Sequence, residues 1–139
     1  MRIEYPYTTE IQEDGTVLVQ FIDFEEAFTE GRTPEEIAFN AAEVLTGIIS
    51  YRMDKGQSIP APSNVQNVCY ASPSPSVQSA LLLHLTRAEQ NKTLADMARA
   101  LGTSWPAVSR LEDPKHWPTL RQLDRAAAVL GKRLVLCME

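Results

Sequence analysis

Side chains that could contact DNA bases are concentrated between residues 104 and 110. They fall on the side of a predicted helix that faces away from its apolar residues: Ser104, Trp105, Ser109 and Arg110. The guanidinium group of Arg110 has the fork geometry that pairs with a guanine edge, and serine hydroxyls can pair with several bases. A helix of this kind lies in the major groove and presents its first turns to base edges. The segment therefore predicts a face that reads DNA sequence.

The same helix is predicted to be the second of a helix-turn-helix, because apolar and small residues are spaced regularly around Gly102. Glycine allows the left-handed backbone angle of a tight turn between helices. Ala98 is small where the second helix crosses the first, and Val108 and Leu111 would hold the second helix in the core. The alternative is an ordinary helical hairpin in which these residues only satisfy packing. The joint fit of the positions favours the helix-turn-helix.

Further candidate DNA contacts flank the two helices: Thr93, Thr103 and Lys115. Thr93 is also predicted to cap the first helix, with Asp96 three residues later as its partner. Lys92, Lys115 and His116 fall in the turns around the helices, where contacts would be made to phosphates. Phosphate contacts position a protein on the duplex and carry no sequence information.

The two halves of the chain carry opposite charge, although the whole chain has a formal net charge of −5. Residues 1–77 hold four Lys and Arg against twelve Asp and Glu, a balance of −8, whereas residues 78–139 hold nine against six, a balance of +3. An acidic half joined to a basic half suggests two partners of opposite charge. The alternative is that the acidic surface only confers solubility.

Catalytic and metal-binding patterns are weak throughout the chain. Asp23 and Glu43 could form a carboxylate pair, but two-metal nuclease chemistry needs several converging carboxylates, and no further one falls on a matching later strand. His84 and His116 have no second ligand at metal spacing, and no glycine-rich phosphate loop occurs. His84 is interpreted as a partly buried packing residue. We therefore expect a non-enzymatic protein without a metal or cofactor.

Cysteine usage and hydropathy point to an intracellular protein. Cys69 and Cys137 are far apart and are predicted to be small buried residues of a reducing cytosol. No apolar run approaches the roughly 20 residues that a membrane span needs, and the first residues show no apolar signal-peptide core. We expect a soluble, cytoplasmic protein with no membrane partner.

The first half is predicted to be a small α+β layer with the order β-β-β-α-β. Strands are predicted over residues 2–11, 16–21, 27–30 and 65–71, with Glu13-Asp14-Gly15 as a hairpin turn. Thr33 and Pro34 begin a helix that ends at Gly56. The apolar face of this helix is predicted to consist of Ile37, Ala41, Val44, Leu45 and Ile48.

The second half is predicted to be all helical except for its last residues. A helix over residues 76–89 would bury Val77, Leu81, His84, Leu85 and Ala88, and a later helix runs from the Thr119 cap to Gly131. Residues 132–138 alternate like a strand, which needs a partner strand to be stable. Two copies pairing across a dimer would supply one, through Leu134, Leu136 and Met138. The predicted domains are residues 1–71 and 77–139, joined by a linker at 72–76.

Over about its full length the chain resembles the HicB antitoxins of bacterial toxin–antitoxin operons. The resemblance rests on YPYTTEIQEDGTVLVQFIDF, FTEGRTPEEIAFNAAEVL, the IPAPS segment, the helix-turn-helix and the ending LGKRLVLCME. It implies a partial RNase H-like domain at residues 1–71 that binds and inhibits HicA, a small RNA-cleaving toxin. It also implies a Cro/Xre-like helix-turn-helix domain at residues 77–139 that represses the operon on double-stranded operator DNA, in a homodimer or tetramer.

Two details of the resemblance concern this sequence in particular. Some HicB proteins carry a ribbon-helix-helix at this end, and the pattern around Gly102 favours the helix-turn-helix version. Some relatives have a longer glycine-containing turn where this chain has Glu25-Glu26-Ala27. We place the candidate toxin contacts in this turn, at Asp23, Phe24, Glu25 and Glu26. A stand-alone repressor with a ligand-sensing first domain is the alternative function.

Overall fold

A computed structural model describes residues 1–139, which form two compact units, Met1–Gln78 and Ser79–Glu139. The fold is α+β, as the sequence predicts. In chain order the elements are β1 Tyr5–Ile11, β2 Val17–Phe21, β3 Phe28–Gly31, α1 Pro34–Asp54, β4 Cys69–Ala71, α2 Pro75–Glu89, α3 Leu94–Leu101, α4 Trp105–Leu111 and α5 Leu120–Val129. No helix of the structure combines the length and apolar character that a bilayer span requires.

The four strands form one antiparallel sheet in the order β3-β2-β1-β4. At the predicted β1–β2 turn, Asp14 Oδ1 accepts hydrogen bonds from the Thr16 N–H at 3.0 Å and the Thr16 hydroxyl at 2.5 Å. The fourth strand is shorter than predicted and begins at Cys69 rather than residue 65. The Tyr70 hydroxyl pairs with both the N–H and the carbonyl of Val65, at 2.7 and 2.6 Å. Those backbone groups are therefore not available to a strand ladder.

Helix α1 begins as predicted, because the Thr33 hydroxyl accepts from the Glu36 N–H at 3.1 Å. Its fully buried residues are Ala41, Leu45 and Ile49, at intervals of four. The sequence prediction placed Ile48 on the core face instead of Ile49. Ile48 is half-buried, since it lies at the margin of a stripe centred on Leu45.

The second unit has a helical core to which α2 contributes Leu83, a residue that the sequence prediction did not name. Val77 and Leu81 are buried as predicted, whereas Leu85 is half-buried and Ala88 is exposed. The core consists of Leu83, Met97, Ala98, Val108, Leu111, Ala126 and Leu130. Ser74, the residue directly before α2, is bound within the first unit, where its N–H donates to Thr46 Oγ1 at 2.9 Å. Helix α2 begins at Pro75, so the last two residues of the predicted linker are helical.

The predicted burial of the two cysteines is wrong, and the predicted C-terminal strand is not formed within the single chain. Residues 132–139 form no strand there, because the unit that contains them is helical and offers no strand edge to pair with; pairing with a second copy stays a prediction. In this segment Leu136 is 67% exposed and Met138 is fully exposed. Cys69 and Cys137 are also exposed, since one lies on the edge strand β4 and the other in this uncovered segment.

Candidate functional site

The tight turn that the sequence predicts at Gly102 is present between α3 and α4. Gly102 adopts the left-handed conformation, with φ of 65° and ψ of 36°, as the sequence predicts. The Thr103 N–H then donates to the Ala98 carbonyl at 3.0 Å and closes the turn. Ser104 caps α4, because its hydroxyl accepts from the Ala107 N–H at 3.3 Å.

Helix α4 is anchored by the two residues that the sequence assigned to the core. Val108 is 2% exposed and Leu111 is 8% exposed, and both belong to the cluster that contains Ala98 of α3. Burial of these two side chains fixes which side of α4 is turned outward. Trp105, 54% exposed, and Arg110 lie on that outer side, whereas Ser109 is half-buried.

The candidate DNA contacts differ in how free their side chains are. Arg110 is exposed and has no ion-pair partner, so its guanidinium group is available to a ligand. Thr93 and Ser104 are exposed, and each hydroxyl accepts the capping hydrogen bond of its own helix. Thr103 and Lys115 are exposed in the turns before and after α4. Lys92, predicted to contact phosphate from its turn, is half-buried, and its ammonium group donates to the Val129 carbonyl at 3.2 Å.

A largely buried charged cluster secures the C-terminal end of α4, and sequence reasoning did not identify it. Glu112, the C-cap residue directly after α4, accepts two hydrogen bonds from Arg87, from Nε at 2.7 Å and from Nη2 at 2.9 Å. His84 Nδ1 lies 2.9 Å from the same carboxylate. Arg87 also donates to the Lys92 carbonyl at 2.8 Å. The cluster therefore joins α2, the α2–α3 turn and the end of α4.

The protonation states of this cluster follow from its contacts. Burial alone would raise the pKa of the Glu112 carboxyl, but hydrogen bonds from His84 and Arg87 and the charges of these residues outweigh burial and hold the pKa below its usual value. Glu112 is therefore a carboxylate that can only accept, which requires the proton on His84 Nδ1. His84 is thus half-buried, as predicted, and also has a specific polar partner.

In the first unit, the predicted toxin contacts lie in the β2–β3 turn, and most of them serve the fold. Phe24 is fully buried, with its ring centre 4.9 Å from that of Tyr5, so its side chain packs in the core of the first unit and is not exposed to a partner. Asp23 accepts hydrogen bonds from the N–H and hydroxyl of Ser63. Only Glu25 is exposed with a side chain that has no partner.

Glu26 is exposed, but its carboxylate is bound by Arg52 of α1 through contacts of 2.7, 2.8 and 3.1 Å. The side-chain hydrogen bonds from Arg52 lower the pKa of Glu26. The Arg52 guanidinium group also lies 4.9 Å from the Phe24 ring centre and donates to the Ser58 carbonyl. Arg52 therefore fastens this turn to α1. Glu43, the other carboxylate considered for metal chemistry, is exposed on α1.

Comparison with known proteins supplies the family. The sequence pattern of the HicB-like antitoxins of bacterial toxin–antitoxin systems matches residues 4–85. Antitoxin HicB 1 of Photorhabdus laumondii is 28% identical over 137 residues, which cover 99% of this chain and 88% of that protein. Antitoxin HicB of Escherichia coli is 29% identical over 137 residues, covering 98% of this chain and 99% of that protein. Antitoxin HicB 2 of P. laumondii is 30% identical over 134 residues, covering 96% and 95%. The chain belongs to the HicB-like family of bacterial antitoxins.

Proposed function

We propose that this antitoxin inhibits a HicA-like, RNA-cleaving toxin with its first unit and represses its own operon with its second. The observation that carries the proposal is the division of charge. Residues 1–78 have a balance of −8, and residues 79–139, which contain the helix-turn-helix, have a balance of +3. A toxin that cleaves RNA needs a basic surface to bind phosphates, and an acidic protein unit would attract that surface. DNA is itself acidic and is bound by a basic protein face. Each unit therefore suits one of the two partners, and both act by binding rather than catalysis.

Toxin inhibition is proposed to work by covering the surface that RNA must reach. Exposed carboxylates of the first unit, among them Glu10, Glu25 and Glu43, would take the places of RNA phosphates. We assign this unit to the partial RNase H-like fold, in which a helix packs on one face of an antiparallel sheet. Charge of this kind mainly raises the rate of encounter and has less effect on the rate of dissociation.

We expect the purified full-length antitoxin to suppress RNA cleavage by the toxin of the same operon when the two are mixed in equal amounts. Raising the salt concentration should slow association more than it speeds dissociation, because screening weakens long-range attraction between exposed charges. Stopped-flow or surface-binding kinetics at several salt concentrations measure both rates. Cleavage that continues in the presence of excess antitoxin would contradict toxin inhibition, and salt-independent association would indicate a chiefly apolar interface.

Operator binding is proposed to occur through the outer side of α4. We assign the second unit to the Cro/Xre-like helix-turn-helix proteins, with α3 and α4 as the motif. Arg110 is the candidate for base reading, since it is exposed and unpaired, and Trp105 is the exposed side chain nearest the start of α4. Lys115 follows α4 and is the candidate for a phosphate contact.

Arg110→Ala should cost roughly 1–3 kcal/mol of binding energy on the operator and little on scrambled DNA, because it removes a base contact. Lys115→Ala is the comparison, because Lys115 is an exposed basic residue that follows α4. It should weaken binding to both duplexes about equally and lower the salt slope by roughly one unit, because it removes a phosphate contact. Salt titrations of both variants on both duplexes measure these effects. Equal losses on the two duplexes for Arg110→Ala would show that Arg110 contacts phosphate.

A further inference from the structure

Helix α1 carries a row of exposed residues on the side away from its buried stripe. The row consists of Phe39, Glu43, Gly47 and Tyr51, which follow one another at intervals of four. Side chains four residues apart are neighbours on a helix surface, so the row is continuous. Phe39 is 65% exposed and Tyr51 is 57% exposed, while Glu43 and Gly47 are also exposed. We refer to these four residues as the α1 ridge.

Gly47 lies in the interior of this 21-residue helix, and the fold gives no reason for a glycine there. Glycine weakens a helix because it loses the most backbone freedom on folding. A glycine is usually required where the backbone has a positive φ or where a neighbouring atom leaves no space for a side chain. Gly47 has neither, because its φ is not positive and a Cβ built on it would meet no atom within 4 Å. A close approach by another molecule would explain the missing side chain.

The residues on either side of Gly47 are suited to an interface. Tyr51 lies about one helical turn beyond Gly47, and Phe39 about two turns before it. Aromatic side chains bury a large area at a small entropic cost and are typical anchors of protein interfaces. Gly47 therefore forms a notch in the ridge between two exposed aromatic anchors.

The charge around the ridge favours a basic partner over a second copy of this chain. Glu43 is the charged residue of the ridge, and Glu35 and Glu36 occupy the first turn of the same helix. At the other end of the ridge the Lys55 ammonium group lies 5.9 Å from the centre of the Tyr51 ring, so acidic groups outnumber basic ones around the ridge by three to one. Two copies meeting through this face would bring their own acidic residues together, which costs binding energy. A protein whose surface is basic enough to bind RNA would instead be attracted.

We propose that the α1 ridge is the surface on which the toxin docks, with a backbone segment of the toxin in the notch at Gly47. This inference rests on the proposed inhibition of a toxin and names the surface that performs it. Phe39 and Tyr51 would anchor the complex, and Glu43 would attract the basic toxin. The acidic side chain of Glu25, in the β2–β3 turn, adds to the same attraction.

The test uses Gly47→Gln in the full-length antitoxin, because glutamine favours a helix and its polar side chain fills the notch. We expect the midpoint of thermal unfolding of the first unit to rise by roughly 4 °C, because a good helix former replaces glycine. The dissociation constant for a nuclease-inactive form of the operon's toxin should increase about tenfold or more. Calorimetric titration and circular dichroism measure the two quantities. Phe39→Ala should weaken the complex similarly and leave the unfolding midpoint unchanged.

Ala38→Gln is the matched control, because Ala38 is exposed on the same helix but lies two and a half turns from Gly47, on the opposite side. It should leave toxin affinity unchanged. If the wild-type chain binds the toxin and both Gly47→Gln and Phe39→Ala bind it with unchanged affinity, the toxin does not dock on the α1 ridge. The proposed inhibition of the toxin would still stand. A wild-type chain that does not bind the toxin would overturn both. A Gly47→Gln variant that is less stable, or that changes only self-association, would also contradict the assignment.

Discussion

Replacing Glu112 by alanine is expected to lower the free energy of unfolding of residues 79–139 by about 3–5 kcal/mol. The substitution leaves the Arg87 guanidinium group, whose side chain is 15% exposed, without its carboxylate partner in a largely buried position. It also frees the end of α4 from α2, because both Arg87 and His84 reach α4 through this one carboxylate. Urea unfolding measures the loss, with Trp105 and Trp117 as fluorescent probes that both lie in this unit.

Glu112→Gln tests how much of that loss depends on charge, since the amide keeps the shape and part of the hydrogen bonding. We expect an intermediate loss. Arg87→Met combined with Glu112→Leu removes both charges and should recover stability relative to Glu112→Ala, because no unpaired charge remains in the interior. A Glu112→Ala protein with wild-type stability would show that the cluster contributes nothing to folding.

The acid dependence of stability checks the same cluster independently. The folded chain holds the pKa of Glu112 below its usual value, so this group stabilises the fold above that value and loses its contribution as the pH falls through the lowered one. The Glu112→Gln variant lacks this group and should lose less stability between about pH 5 and pH 3 than the wild-type protein. Parallel urea titrations across this range compare the two.

Local features of this fold could be predicted from the sequence because their partners are close along the chain. The capping box at Thr93 joins residues three positions apart, and so does the one at Thr119. Ser104 caps α4 across the same short interval, and Gly102 needs only its own backbone angle. Contacts of this kind are readable as residue types at fixed spacing.

The features that the sequence did not reveal depend on residues far apart or on another molecule. Arg87 and Glu112 are 25 positions apart, and nothing in the residues around Glu112 indicates a buried partner. Phe24 lies in a polar turn, yet it is buried because Tyr5 and Arg52 close over it. Helix periodicity likewise does not decide between neighbouring apolar positions such as Ile48 and Ile49.

We propose that two copies of the antitoxin pair through residues 132–138, and we call this contact the dimer seam. Removing residues 133–139 is then expected to convert the dimer to a monomer and to weaken the proposed operator binding by about 100-fold or more, because two linked recognition helices are replaced by one. The reason is the apolar segment that contains Leu134, Leu136 and Met138, which has no partner strand within its own unit. A second copy would supply that strand. The truncation retains Lys132, whose N–H donates to the Ala127 carbonyl at 2.9 Å and completes the end of α5. Sedimentation equilibrium and operator titration measure the two effects.

The truncated chain should remain folded, because the last residue of the helical core is Leu130. Its tryptophan fluorescence and unfolding in dilute solution therefore serve as the internal control. Leu136→Asp is the matched single substitution, since it places a charge in the dimer seam and should also abolish the dimer, whereas Glu139→Gln should not. A dimer that survives both the truncation and Leu136→Asp would place the dimer seam elsewhere. Loss of the dimer with unchanged operator affinity would show instead that one helix-turn-helix is sufficient for binding.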